Sequence, residues 1–175
     1  SGYERMMLQL KLFDELVVHY DNKLQKKPND IRILGQLGEA YYRWGKTEKS
    51  DSLWNLILNA NPTNPGNYSY LSNVFVRNSL YDRALETLLA GRARFKKDTL
   101  FEIGLANLYF WNRDYISGVK EYLKIIGREK KYYGLAEGQI LRIFPGEEKN
   151  INEIIGIINE EILKNPDNPL YRQLL

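Results

Sequence analysis

Few side chains in this chain of 175 residues have the chemistry that catalysis needs. The absence of cysteine excludes a thiolate zinc site, an iron–sulfur cluster, a disulfide scaffold and a cysteine nucleophile. The single histidine, His19, is expected on the surface of a helix with no second metal ligand. The acidic pairs 147–148 and 160–161 are adjacent in sequence and so do not share a helix face, and no phosphate-binding glycine loop is present. The sequence therefore predicts a protein that is not an enzyme and that has no cofactor or metal.

Two pairs of polar residues are instead suited to binding. Asn73 and Asn107 are 34 residues apart, and so are Arg43 and Arg77. An asparagine offers a donor and an acceptor to an extended peptide backbone, and an arginine can bind a carboxylate or a phosphate with two parallel bonds. Such side chains on a helix are most often only solvated, so that alternative stays open. The shared spacing indicates that they belong to repeated elements.

The whole middle of the chain repeats with this period of 34 residues, over segments 31–64, 65–98 and 99–132. Small and large apolar residues recur at matched positions, as two packed helices require. The matched sets are Leu37, Leu71 and Leu105; Gly38, Ser72 and Ala106; Tyr41, Phe75 and Tyr109; Ser50, Ala84 and Gly118; and Trp54, Leu88 and Tyr122. This pattern predicts a core built from repeated helices.

Turn and cap residues recur with the same period. Three residues that each precede helical spacing are expected N-caps: Asp30, Asn64 and Asp98. Gly45 provides a turn, and a second helix is expected from about Thr47 to Leu58. Pro62 closes it, because the residue before a proline is driven out of the helical conformation. Each unit is therefore predicted to be a helix–turn–helix.

Incomplete units flank the three full ones within a predicted single domain, residues 1–175. Residues 1–30 are a partial repeat, in which 3–26 form either one helix or two. A degenerate repeat, 133–168, is expected to contain helices near Tyr133 to Phe144 and Ile151 to Lys164. The sequence leaves open how these helices align with the repeat positions of the other units. Residues 169–175 begin a further helix too short to be stable alone, so the chain is expected to be a fragment, with Ser1-Gly2 a cloning remnant.

This 34-residue helix–turn–helix resembles the tetratricopeptide repeat, most specifically in the first full unit. The residues that carry the resemblance there are Leu34, Leu37, Gly38, Tyr41, Ser50, Trp54 and Pro62. The third unit departs from the pattern with Glu102, Arg113 and Lys130 at three positions. The resemblance implies an all-α fold, a right-handed α-solenoid of stacked helix–turn–helix repeats, in which the first helix of each unit lines a concave groove.

A groove of this kind implies a scaffold that binds a peptide or a protein partner. In the first unit the groove positions include Arg32, Gly35 and Glu39. The candidate binding residues that the resemblance selects are Tyr42, Arg43, Asn73, Arg77, Asn107, Phe110 and Trp111. Gly35 and Glu39 stand where the family's clamp for C-terminal carboxylates has its first lysine and asparagine, and Ile103 and Asn107 do not supply the cations of the third unit. That clamp is therefore absent, and a different acidic or amphipathic peptide stays open.

The charge of the chain leaves two further alternatives. The net charge of +3 is modest, so nucleic acid is not expected as a partner, and RNA binding ranks below protein binding. The basic clusters at 92–97 and 128–131 are expected to stabilise helix C-termini. No apolar run is long enough to span a membrane. The alternative function is a structural spacer or a self-assembly module of a larger repeat protein, with self-association through the chain ends. The compartment is unknown, with the cytoplasm slightly favoured over the periplasm for this soluble chain.

Overall fold

The computed structural model describes residues 2–143 and 148–175, with the side chains of residues 148 and 149 outside that description. The described residues form α-helices joined by turns, with one short 3-10 turn at Lys130–Tyr132 and no strand. The helices are α1 (Gly2–Gln9), α2 (Phe13–Lys26), α3 (Ile31–Arg43), α4 (Thr47–Ala60), α5 (Pro65–Arg77), α6 (Tyr81–Phe95), α7 (Glu102–Trp111), α8 (Tyr115–Arg128), α9 (Tyr133–Leu141), α10 (Glu148–Lys164) and α11 (Pro169–Arg172). None of these helices has both the length and the apolar composition that crossing a lipid bilayer requires.

The chain divides into two compact units, Ser1–Thr87 and Leu88–Leu175. The N-terminal unit contains α1 to α5 and the first part of α6, and the C-terminal unit contains the rest of α6 and α7 to α11. The sequence allows one helix or two over residues 3–26. The structure has two, α1 and α2, which residues 10–12 separate. The division itself falls inside α6, between Thr87 and Leu88.

Two of the three predicted caps hold the starts of their helices. Asp30 Oδ1 accepts hydrogen bonds from the backbone N–H of Arg32 at 2.9 Å and of Ile33 at 3.4 Å. Asn64 Oδ1 accepts from the N–H of Gly66 at 2.9 Å. These bonds satisfy N–H groups that have no partner inside the first turn of a helix. The prediction for both residues is confirmed.

The prediction that Asp98 is the third N-cap is wrong. Helix α7 begins at Glu102, and Phe101 precedes it with a left-handed backbone, φ 63°. The Nε of Arg92 donates to the Leu100 carbonyl at 3.0 Å, which holds the connection as a turn beyond Asp98. The sequence also missed a cap, because Asp114 accepts from the N–H of Ser117 at 3.1 Å and starts α8.

The repeating positions form the cores of the two units, as their spacing predicts. Four of the five matched sets contain only buried residues, and in the fifth Phe75 is buried while Tyr41 and Tyr109 are half-buried. Gly38 lies so close to Trp54 that a Cβ at this glycine would stand 2.4 Å from the indole Nε1. The small residue of one helix therefore accommodates the large residue of its partner.

The degenerate repeat belongs to the C-terminal unit. The predicted first helix corresponds to α9 and ends at Leu141, while the expected end at Phe144 lies outside the described residues. The second begins at Glu148, three residues before the expected Ile151. Tyr171 follows α10 and donates from its hydroxyl to the Leu123 carbonyl at 3.2 Å, which fixes α11 against α8.

Candidate functional site

The N-terminal unit contains an open cleft of about 500 Å³, which is the size of a pocket for a small ligand or a few side chains. Four helices supply its lining: α1, α2, α3 and α5. The lining residues are Glu4, Arg5, Leu8, Leu16, Tyr20, Arg32, Gln36, Glu39, Ala40, Tyr70 and Arg77. The cleft therefore combines three arginines and two carboxylates with a few apolar side chains.

Gly35 allows Tyr70 to form one wall of this cleft. A Cβ at Gly35 would stand 2.4 Å from the Tyr70 hydroxyl oxygen, so any larger residue would displace the ring. With glycine present, the hydroxyl reaches across α3 and donates to the Arg32 carbonyl at 3.2 Å. Burial raises the pKa of Tyr70 above its usual value even though Arg77 favours the phenolate, so the neutral hydroxyl is available as a donor at physiological pH.

Glu39 brings the two predicted arginines to one carboxylate. Its Oε1 accepts from Arg43 Nη2 at 2.9 Å, and its Oε2 lies 3.8 Å from Arg77 Nη2. The carboxylate is 14% exposed, whereas the side chains of Arg43 and Arg77 are 43% and 48% exposed. The arginine pair that the 34-residue spacing suggested for a ligand carboxylate therefore surrounds a carboxylate of the chain itself.

Glu4 is the second acid of the cleft and already has cationic partners. Its Oε1 accepts from Lys23 Nζ at 2.7 Å and lies 3.3 Å from His19 Nε2. Burial by itself raises the pKa of Glu4, but the hydrogen bonds that the carboxylate accepts, foremost the one from Lys23, outweigh it and hold the pKa at about 2. His19 is partly exposed at the surface, as expected, and its ring also packs against Tyr3 and Tyr20 beside this carboxylate.

Arg5 and Arg32 have no such partner. Both side chains are exposed, and neither forms an ion pair with any residue that the structure describes. Both also lie in the first turn of a helix, Arg5 in α1 and Arg32 in α3. A cation there is disfavoured by the helix dipole, which is positive at the N-terminus. These two arginines therefore add unbalanced positive charge to the cleft.

The remaining candidates of the N-terminal unit lie around this site. Asn73 is exposed on α5, three residues after Tyr70 and four before Arg77, so the three share one helix face. Tyr42 is half-buried, with its ring centroid 5.6 Å from that of Trp54. Asn73 is therefore beside the cleft, while Tyr42 contacts the helix core.

The three candidates of the C-terminal unit differ in their surroundings. Asn107 Oδ1 accepts from the Tyr122 hydroxyl at 2.6 Å. The Phe110 ring packs against Tyr122 and covers Gly118, where a Cβ would stand 2.4 Å from the ring. Trp111 is 51% exposed. Asn107 and Phe110 thus both contact Tyr122 within the unit, and the role of all three residues in binding stays a prediction.

One predicted basic cluster has a structural role that its sequence did not reveal. Arg92 donates from Nη1 and Nη2 to the two carboxylate oxygens of Glu121, both at 2.8 Å, and Lys124 also reaches Glu121 at 3.0 Å. Burial raises the pKa of Glu121, but the bonds from Arg92 outweigh it and lower the pKa below its usual range. Arg92 lies in the last turn of α6, as expected for a cation near a helix C-terminus, and in addition it joins α6 to α8. No group of three or more residues suited to metal binding occurs among the described residues.

The residue pattern of the sequence indicates only part of the site. Arg32, Glu39 and Arg77 stand at groove positions, but Arg5 and Tyr70 were missed. Arg5 lies on α1, whose packing on α2 no repeat pattern indicates. A signal for Tyr70 existed in the glycine at groove position Gly35, since a missing side chain on one helix leaves space for a large one on the next.

The fold is similar to those of solved proteins. The similarity to MamA has a TM-score of 0.52 at 17% identity and covers 92% of each chain. The similarity to YrrB, a tetratricopeptide protein, has a TM-score of 0.51 at 13% identity and covers 98% of this chain and 88% of YrrB. Searches with protein-family profiles and of curated protein sequences give no match. The structural likeness confirms the predicted fold class, an all-α fold of tetratricopeptide-like helical repeats.

Proposed function

We propose that this chain is a protein-interaction module and that the cleft of its N-terminal unit binds a peptide segment of a partner protein. The observation that carries the proposal is the open cleft of about 500 Å³ with Arg32, Glu39 and Arg77 in its lining. These residues stand at positions that line the binding groove in the family that the sequence resembles. The cleft thus lies where this type of repeat places its ligand.

The chemistry of the cleft suits a peptide. Guanidinium groups and carboxylates supply donors and acceptors, and the half-buried Leu8 supplies apolar surface. Asn73 beside the cleft adds an amide, which bonds both to the N–H and to the C=O of an extended backbone. YrrB, whose fold is similar, has an unusual peptide-binding site, in agreement with this proposal. Self-association through the chain ends and RNA binding stay predictions of lower rank.

A substitution that fills the cleft tests this function without changing its charge. Gln36 lines the cleft and is half-buried, so we expect Gln36→Trp to occupy the space that a ligand needs. Lys120→Trp is the control, since Lys120 is exposed on α8 and lines none of the described clefts. The measurement selects peptides from a random displayed library on the whole chain and then determines their affinity for both variants by fluorescence anisotropy.

The selected peptides are expected to lose about tenfold or more in affinity for Gln36→Trp and to keep it for Lys120→Trp. Circular dichroism and urea unfolding establish that both variants are folded. The proposal is overturned if no peptide is selected, or if the selected peptides bind the folded Gln36→Trp variant as tightly as the unsubstituted chain.

A further inference from the structure

We infer that the cleft of the N-terminal unit is selective for acidic peptide segments and binds the side-chain carboxylates of aspartate and glutamate through Arg5, Arg32 and Arg77. This inference rests on the proposed function and adds the chemical class of the ligand. It follows from the balance of charge in the cleft, from the places that two of the arginines occupy, and from a carboxylate of the chain that already binds the third.

The cleft has more positive charge than its own acids neutralise. Its lining contains three arginines and two glutamates. Each glutamate has a further cation beside the lining, because Lys23 binds Glu4 at 2.7 Å and Arg43 binds Glu39 at 2.9 Å. Arg5 and Arg32 form no ion pair with any of the described residues.

The surplus continues into an adjoining cleft of about 280 Å³. Gln36 belongs to the lining of both clefts, and the second cleft adds Lys26 and Lys27. Its only acid among the described lining residues is Asp30, whose Oδ1 caps α3. A bound segment that extends from one cleft to the other therefore meets cations along its path, which favours a partner with several negative charges.

The positions of Arg5 and Arg32 are unfavourable for folding and favourable for an anion. A cation in the first turn of a helix opposes the dipole and costs up to about 1 kcal/mol. An internal ion pair would compensate, but none is present for either residue within the described part of the chain. A residue that destabilises its own helix without a compensating contact indicates a candidate binding site. An acidic ligand supplies that contact.

Glu39 shows how such a ligand is held. Its carboxylate lies between Arg43 and Arg77, and an acidic side chain of a partner would make the same kind of contact with these guanidinium groups. The internal carboxylate competes with the ligand for them. Removing its charge should therefore tighten the binding of an acidic segment, which no neutral or basic ligand would show.

The arrangement favours the side chains of a peptide over a single terminal carboxylate or a nucleic acid. Arg77 lies beside Glu39, which follows Arg32 on α3 by about two helical turns, so these two arginines are spread along the cleft rather than gathered at one point. Of the aromatic residues in the lining, Tyr20 is buried and Tyr70 is held by its bond to Arg32. Neither offers a free ring on which a base could stack.

The test uses a fluorescein-labelled peptide of alternating glutamate and alanine with an amidated C-terminus, and the whole chain as the binder. Matched peptides have glutamine or lysine in place of glutamate, and a fourth peptide of glutamine and alanine has a free C-terminal carboxylate. An oligouridylate of similar length tests nucleic acid. We expect the glutamate peptide to bind, to bind more weakly as salt rises, and to bind more tightly than all the others.

Two variants assign the binding to the cleft. Arg5→Gln combined with Arg32→Gln should weaken the glutamate peptide by roughly tenfold, whereas Arg142→Gln combined with Arg172→Gln, at exposed arginines outside the described clefts, should have no effect. Glu39→Gln should tighten binding by about threefold. Because Arg5 and Arg32 form no ion pairs with described residues, their replacement should not reduce the free energy of unfolding.

The inference is overturned if the glutamine, free-carboxylate or oligouridylate probe binds as tightly as the glutamate peptide. It is equally overturned if the two pairs of arginine substitutions weaken binding to the same extent, or if Glu39→Gln weakens it. Peptides from the random library that are neutral and that depend on Gln36 would leave the proposed function standing and refute the acidic class alone. If no library peptide depends on Gln36 and the glutamate peptide does not bind either, the proposed function itself is refuted.

Discussion

Glu4 links α1 to α2 through its carboxylate. Its side chain is 9% exposed and is bound by Lys23 and His19, two residues of α2. The same residue lines the cleft, so the ion pair that fixes α1 also determines where Arg5, the next residue, is placed. The stability of this contact is therefore a condition for the binding site, and it depends on the charge of one acid.

The protonation of Glu4 should make the stability of the chain depend on pH. Its pKa is about 2 in the folded chain, below the usual value of 4.5, so the ion pair stabilises the fold above pH 4.5 and this contribution is lost as pH falls towards 2. We expect Glu4→Gln to lower the free energy of unfolding by about 1–2 kcal/mol at neutral pH, and the difference to vanish near pH 2.

Urea unfolding followed by circular dichroism over this pH range measures the effect of Glu4→Gln. Glu15→Gln is the matched control, because Glu15 is an exposed acid on α2 with no ion pair among the described contacts. If the free energy of unfolding of Glu4→Gln differs from that of the unsubstituted chain by the same amount at all pH values, the ion pair does not stabilise the fold.

At the scale of the helices, α3 depends on two glycines on which its neighbours pack. Tyr70 of α5 lies against Gly35, and Trp54 of α4 lies against Gly38. The indole Nε1 of Trp54 also donates to the Gly35 carbonyl at 3.4 Å. Glycine lowers the intrinsic stability of a helix, so these residues are favourable only because they admit two aromatic rings.

Gly38→Ala should separate α3 from α4. The new methyl group would stand 2.4 Å from Trp54 Nε1, so the ring must move, and we expect a loss of about 1–3 kcal/mol in the free energy of unfolding. Gly156→Ala in α10 is the control, because the added Cβ meets no described atom within 4 Å beyond the neighbouring backbone of its own helix, and it should stabilise by about 0.5–1 kcal/mol. Equal effects of the two substitutions in urea unfolding would contradict this account of α3.

Sequence reasoning recovered the helices best where the deciding chemistry is local. The caps Asp30 and Asn64 act on N–H groups two residues away, and the 34-residue pattern reports contacts within one helical pair. The prediction for Asp98 failed because Arg92, on the preceding helix, holds the following turn through the Leu100 carbonyl, eight residues along the chain. A local signal cannot contain that information.

The candidate site was predicted less completely for the same reason. Glu39 and Arg77 follow from the repeat, but the fact that they contact each other depends on how α3 and α5 pack. Phe110 was selected as a ligand contact by its position, whereas it packs on Tyr122 because Gly118 leaves room for its ring. Position within a repeat identifies a surface, and the sizes of neighbouring side chains decide which residues remain on it.

At the scale of the molecule, a single helix belongs to both compact units. Helix α6 runs from Tyr81 to Phe95, and the division between the units falls between Thr87 and Leu88. If one unit unfolds while the other stays folded, α6 must break in the middle. Because helix formation is cooperative, a broken helix loses hydrogen bonds and leaves two short segments that are marginal in water.

We therefore expect the whole chain to unfold in one transition. Trp111→Phe leaves tryptophan only at positions 44 and 54, so its fluorescence reports the N-terminal unit, while far-ultraviolet circular dichroism reports every helix. The two urea midpoints should coincide. Ala90→Pro, at an exposed position of α6 next to the division, removes a helical hydrogen bond and should separate them. Distinct midpoints without the proline would show that the units unfold independently, and coincident midpoints with it would show that α6 is not what couples them.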